Sequence, residues 1–497
     1  MMSLLLISLL IGFLATEDGR AQDQENDDLP VTEYRLPNGM QFIILEKSGS
    51  PTVSFVLQYQ IGGINDKVEK TGTAHLLEHL LFKGTKNIGT LDPDKEALLL
   101  NQMDFLEDSI LSLEDQGLPP PTVEELKTRL LKLEEQAQVY VVSNEFEQIL
   151  SRNGARGLNA STDSESTKYY LELPSNRTEL WFMLESERMT EPVFREFYKE
   201  RDVVAEERRL RVETQPGNLL YETHLKAAFE SHPYGKPVVG HMKDIENLTR
   251  QDVRNHYQKY YGPENAVVAV VGNVQTEKIQ EWALKYFGGL PSTGVPGKTS
   301  PIKPKQRQER RVSVTFEAEP QLRIGWHTVE TTHPDNPALM ILSMLLTGNR
   351  SSRLFQRLVV DDQTASNVNS SMGPGDLYPK LFSISASIRC DAQVERVEEA
   401  IYDELSALEL TPPSNQEIQR IRNQISAGQI RRLSSNFGLA IQLAYSTALF
   451  SNWKYGFNLS KELRNVEPEM ISQVVKKFFN HNNRTVASLI PVDSCNK

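Results

Sequence analysis

The chain has 497 residues, more than one ordinary domain holds, so about two to four domains are expected. Its 39% apolar and 24% charged residues are those of a globular protein rather than a disordered or fibrous one. A net charge of −12 argues against a nucleic-acid-binding surface.

At the N-terminus, Leu4–Leu14 is apolar but too short to span a bilayer, and Gly19 and Ala21 fit a small-residue cleavage site. Residues 1–21 therefore read as a signal peptide and 22–29 as a disordered acidic leader. The mature chain would be exported, periplasmic or secreted, with no membrane span. Cys390 and Cys495 are the only cysteines, and either one disulfide or two thiols fits them.

Arg35–Leu45 predicts a hairpin turning at Asn38-Gly39, and Val53–Ile61 a second alternating strand broken by Gly62-Gly63. Thr71–Phe82 (TGTAHLLEHLLF) predicts a buried helix. It holds His75, Glu78 and His79 in the order H-x-x-E-H, and positions i, i+3 and i+4 share one helix face. Two imidazoles one turn apart can grip one zinc ion with a carboxylate beside them, the inverzincin arrangement.

Residues 91–150 differ from their surroundings. Leu106, Ile110 and Leu113, then Leu126, Leu130, Leu133 and Ala137, recur at helical spacing around a Gly117–Pro121 stop, with a capping box at Thr122 and Glu125. A helical hairpin inserted into the first domain is expected. Residues 157–174 read as two short strands and Asn176–Met189 as a helix.

Glu191–Gln215 predicts another helix, whose apolar stripe of Val193, Phe197 and Val204 also carries Glu200 and Glu207. Carboxylates in such a stripe are costly unless paired or metal-bound, while the neighbouring charges equally fit an exposed helix. Asn265–Val274 is a continuous apolar strand, and 291–306 is a linker rich in Pro, Gly, Ser and Thr.

The second half repeats the first in outline. Thr249–Val274 and Glu467–Val492 each read as an amphipathic helix ending in paired aromatics, a polar turn with Asn, then a valine-containing strand. This duplication predicts an α+β fold of two homologous domains rather than a repeat array.

The stretches TGTAHLLEHLLFKGT, ERDVVAEE, HPYGKPVVG and SSRLFQRL resemble the pitrilysin, insulin-degrading-enzyme and mitochondrial-processing-peptidase family of zinc endopeptidases. The resemblance runs from Pro30 to the C-terminus, except the insert. It implies a peptidase domain over 30–290 and a homologous inactive domain over 307–497, each a mostly antiparallel sheet packed with helices, together half of a clamshell. It implies one Zn²⁺ per chain held by His75, His79 and Glu207, with Glu78 as general base and Glu200 supporting the ligands; Glu206 is the rival ligand. It also implies that Asn159 and Ala160 lie on an edge strand that pairs with bound peptide.

One departure stands out. Self-sufficient members carry an Arg and a Tyr just after the SSRLFQRL-like stretch, where this chain has Val359 and Ser366; Arg353 and Arg357 are off-register. The resemblance therefore implies a heterodimer with a related subunit supplying the Arg/Tyr pair, a homodimer being the alternative. A non-catalytic, peptide-binding scaffold is the rival reading.

Overall fold

The computed structural model describes residues 29–116, 120–294 and 306–492. The signal and leader segments, most of the linker and Cys495 lie outside the described residues.

Two mixed sheets with helices build the molecule. The first contains β1 (Val31–Arg35), β2 (Gln41–Glu46), β3 (Thr52–Tyr59), β4 (Arg156–Thr162), β5 (Thr167–Pro174) and β6 (Ala266–Gly272), in spatial order β1-β2-β6-β3-β5-β4. The second contains β7 (Arg310–Phe316), β8 (Gln321–His327), β9 (Ala365–Gly373), β10 (Leu381–Ile388) and β11 (Arg484–Pro491), in order β7-β11-β8-β10-β9. Set β1 aside and the two orders are the same. Each sheet has one parallel pair, β2–β6 and β7–β11, in the same place, and its other pairings are antiparallel.

The helices that position the site in the first half are α1 (Thr73–Leu80), α2 (Pro93–Asp115), α3 (Pro120–Gln138), α4 (Phe197–Arg208), α5 (Pro216–Ala228) and α6 (Arg250–Tyr260). In the second half they are α7 (Asn336–Thr347), α8 (Asn415–Leu433), α9 (Asn436–Phe450) and α10 (Pro468–Phe478). The repeat read from the sequence is α6 with β6 and α10 with β11, equivalent places in the two sheets.

β6 is buried on both faces, which is why it reads as a continuous apolar run. Val268 and Val270 face the main first-half core, while Val267, Ala269 and Val271 face the other way, onto α9. α9 comes from the second half. Ala440, Ala444 and Ala448 recur every fourth residue and let it approach closely, while Leu439 and Leu443 fill the gaps. Each such leucine, fully buried, contributes about 1.5–3 kcal/mol. The exchange is reciprocal: α5 leaves the first half and lays Leu220 against Ala487 and Leu489 of β11.

The structure redraws several boundaries. α4 begins at Phe197, not at Glu191, because Glu196 takes a left-handed conformation (φ 53°) that starts the helix afresh. Val193 thus precedes the helix and belongs to no stripe on it. The second insert helix starts at Pro120, placing Thr122 inside the helix rather than at its cap; proline is well suited to a first helical position. α2 and α3 are the two long helices of the 91–150 segment.

Candidate metal centre

α1 is short, and what holds it is mostly remote in sequence. Gly72, at its N-cap, has φ 90°, and a Cβ there would stand 2.7 Å from the Val239 carbonyl oxygen. Buried Asp66 accepts the N–H groups of Gly72 (2.8 Å) and Ala74 (3.0 Å), satisfying donors that a helix start leaves open. Leu76, Leu77 and Leu80 are fully buried, so the helix cannot rotate and the opposite face presents His75, Glu78 and His79.

α4 brings the carboxylates. His75 Nε2 lies 3.8 Å from Glu207 Oε1, and His79 Nε2 lies 3.5 Å from Glu207 Oε2. Ligand atoms about 2.0–2.2 Å from a tetrahedral zinc stand about 3.3–3.5 Å apart, so these separations fit one ion within a few tenths of an ångström. One donor atom from each of the three residues lies within 4.8 Å of the other two. On the far side of His79, Nδ1 lies 3.4 Å from Glu200 Oε2, and Lys83 Nζ holds the other Glu200 oxygen at 2.6 Å. That is the carboxylate–imidazole relay that fixes a ligating histidine's tautomer. Glu206 points away, to Arg209 at 3.0 Å, and shares nothing with the group.

The electrostatics suit a dication. Burial, then the neighbouring His79, pushes His75 down to about 4, leaving a neutral imidazole as a ligand requires. Burial works against charge on His79 too, but the Glu200 and Glu207 carboxylates lift it to about 9. A group that draws a proton so strongly supplies the negative field a cation needs. Burial raises the Glu78 carboxyl despite a 2.5 Å hydrogen bond donated by Thr162.

Thr162 ends β4, the edge of the six-stranded sheet, on which Asn159 and Ala160 also lie, paired on one side with Tyr170 and Tyr169. Among the described residues no strand covers its other side. A cavity of about 380 Å³ opens beside His75 and Glu207, with Tyr221, Arg211 and Pro374 among its walls. Val359 packs against the second-half core and Ser366 sits exposed on β9. Arg353 is bound to Glu404 and Glu417, and Arg357 to Asp403, all in the second half.

Sequence reasoning missed Asp66, Lys83, Thr162 and Arg211. Arg211 was within reach, since it stands four residues after Glu207 on a helical stretch and meets it at 2.5 Å. Lys83 lies three residues past the end of α1, in the turn that follows it. Asp66 and Thr162 carry no periodic signal.

The sequence model for the insulinase family, peptidase family M16, matches residues 42–97 and 139–241, and that for the M16 inactive domain matches 247–425. The chain belongs to peptidase family M16. The break at 98–138 covers nearly all of α2 and α3, so this M16 chain carries a hairpin that the family pattern lacks. The chain is 27% identical to the zinc protease PqqE of Helicobacter pylori, over 82% of this chain and 80% of that protein. It is 22% identical to the rat mitochondrial-processing peptidase subunit beta, over 94% of this chain and 86% of the relative. A crystal structure of a Helicobacter pylori protease superposes with a TM-score of 0.78 at 25% identity, covering 93% of this chain and 99% of that one. The periplasmic protease PqqL of Escherichia coli matches with a TM-score of 0.67 at 15% identity; this chain covers 48% of it, so PqqL is about two such chains long.

The ligand assignment has a direct check in zinc affinity measured by titration. Glu207→Gln is expected to weaken zinc by more than the roughly 10–100-fold loss typical of an outer-sphere change such as Glu200→Gln. Glu206→Gln should leave affinity unchanged.

Proposed function

We propose that this chain is a zinc-dependent endopeptidase that hydrolyses peptides or unfolded polypeptide segments. The observation that carries it is the meeting of His75, His79 and Glu207 around one point, with Glu78 on the same helix face. His75, His79 and Glu207 would hold the metal, and Glu200, through His79, would orient its ligand. Zinc bound there would lower the pKa of a water and polarise the scissile carbonyl. Glu78 takes the proton from the attacking water and returns one to the leaving amine; its burial-raised carboxyl suits both acts. The open edge of β4 binds substrate backbone as an added strand and delivers it toward Glu78.

The chain acts outside the cytoplasm in this reading. The apolar run Leu4–Leu14 followed by small residues supports export, and the fold relative PqqL is named as periplasmic. Val359 and Ser366 supply neither guanidinium nor phenol, which supports pairing with a related subunit that does. A second reading, in which the chain works alone, is favoured by Arg211 and Tyr221, which line the cavity from its own first half.

The test is hydrolysis of quenched-fluorescence peptides by the mature, zinc-loaded chain by itself. Activity removed by a chelator and restored by zinc supports the self-sufficient reading. Zinc-loaded but inert chain that gains activity only with a co-purifying relative supports the paired one. Zinc-loaded chain inert under both conditions would leave the scaffold reading standing.

A further inference from the structure

The cavity beside His75 and Glu207 holds charges that the metal site does not use. α5 and residues 235–239 form two of its walls, and Arg211 lines a third. α4 runs on into a widened turn there, in which the Thr214 N–H reaches back five residues to the Arg209 carbonyl at 2.9 Å. Widened turns of this kind are frequent at functional sites. Arg211 sits in the middle of the turn, and the Asn218 side chain donates to its carbonyl at 2.7 Å. Its side chain is 73% exposed, and the guanidinium has one partner among the described residues, Glu207 Oε1 at 2.5 Å.

That oxygen is also the one that faces His75. A divalent cation held by His75, His79 and Glu207 draws on the same carboxylate, and two cations at one carboxylate repel each other. An ion pair this exposed on its arginine side contributes little, so the guanidinium leaves at small cost. It then needs another anion, and the remaining carboxylates of the cavity are already committed. Glu222 is held by Arg208 at 3.0 Å. Asp163 accepts the N–H groups of Glu165 and Ser166, at 2.8 and 2.7 Å, and the Ser166 hydroxyl.

The other charges at hand are positive. Lys236 lines the cavity and donates to the Asp66 carbonyl at 3.1 Å, with no ion pair among the described residues. Arg323 comes from β8 of the second half and stands over the Tyr221 ring at 4.8 Å, likewise with no ion pair among the described residues. Burial works against its charge, and the ring alone offsets that. With a dication at Glu207, these groups make the cavity an enclosure of positive potential.

We propose that this cavity receives an acidic side chain of the substrate beside the scissile bond, and that Arg211 reads it. Released from Glu207 as the metal binds, the guanidinium pairs with the incoming carboxylate, two N–H groups to two oxygens. Lys236 and Arg323 supply the field, and Arg211 makes the contact. The inference rests on the peptidase reading and narrows its substrates to peptides with Asp or Glu next to the bond cleaved. Because Arg211 is free only in the metal-bound chain, metal and acidic peptide tighten each other's binding by the same factor.

The experiment measures fluorescence anisotropy of labelled, end-capped peptide twins on the full-length Glu78→Gln chain, both zinc-loaded and chelator-stripped. The twins differ by a single Glu or Gln, which is moved along the peptide one position at a time. At one position the zinc-loaded chain is expected to bind the Glu twin about tenfold or more tighter, as a charge-assisted contact would give. The preference should be severalfold smaller in the stripped chain. Arg211→Met should abolish it without weakening zinc, and Arg211→Glu should turn it towards a Lys twin. Both replace an exposed side chain, so the melting temperature should hold. A Glu preference at no position, or one that survives Arg211→Met in a folded chain, overturns the proposal. Zinc affinity that falls with Arg211→Met also overturns it, by making Arg211 a support for Glu207. Equal cleavage of both twins at every position by the wild-type chain would sink this specificity alone. A Glu preference that depends on Arg211, without cleavage of any peptide, would sink the peptidase reading and leave the acid-binding pocket.

Discussion

Glu78→Gln is expected to lower kcat by about 10³-fold or more, roughly 4 kcal/mol of transition-state stabilisation, while zinc stays bound. The carboxamide keeps the size of the side chain and still offers an oxygen to the Thr162 hydroxyl, so α1 and its two histidines stay where they are. What it loses is the ability to take a proton. KM should change little if, as proposed, substrate backbone is held by the β4 edge and not by Glu78. Zinc content by elemental analysis and peptide turnover, measured on the same preparation, separate the two effects. Turnover within tenfold of wild type would remove Glu78 from the base role, and joint loss of zinc and turnover would make it a ligand instead.

The second large effect concerns stability. Arg195 is 1% exposed, and its guanidinium uses every donor it has. Nε and one Nη2 hydrogen go to Glu96 on α2, at 2.8 and 3.0 Å. The other Nη2 hydrogen goes to the Thr85 carbonyl, and Nη1 reaches those of Lys83 and Ile88. The 83–89 loop is wrapped so tightly around it that a Cβ at Gly89 would stand 2.8 Å from Nη1. Arg195→Met leaves the Glu96 carboxylate buried and the Lys83 and Thr85 carbonyls without their partner, while the Ile88 carbonyl keeps the Thr85 N–H, at an expected cost of about 3–5 kcal/mol. For a domain of this size that is a fall of about 10 °C in melting temperature. Adding Glu96→Leu should recover part of it, because the stranded charge is then gone. The effect should reach the metal too. Lys83 begins the wrapped loop and holds Glu200, which in turn holds His79. A double variant no more stable than Arg195→Met alone would show that the carbonyls, not the charge, carry the cost.

How far these features can be seen without coordinates depends on how local they are. The H-x-x-E-H spacing lies within two turns of one helix, so His75, Glu78 and His79 are legible as a set. Glu207 is legible only through its step of seven from Glu200 and through the family resemblance, and the structure brings it to the same point. The start of α4 is not legible because Val193 continues an apolar period that the left-handed Glu196 interrupts, and a conformation at one residue leaves no periodic trace. Asp66, Thr162 and Arg195 act across gaps of six to over a hundred residues, through geometry that only folding creates. The exchange of α5 and α9 is illegible for a different reason. An amphipathic sequence declares that a face will be covered and says nothing about which sheet will cover it.

That exchange bears on descent. β3 and β6 lie bare on one side unless α9 arrives from the second half, and β11 likewise needs α5 from the first. A lone half is therefore an unfinished protein. If the two halves arose by copying one shorter gene, the product of that gene could complete its fold only by trading this helix with a second copy of itself, as domain-swapped dimers do. Fusion then turned an exchange between molecules into a contact within one.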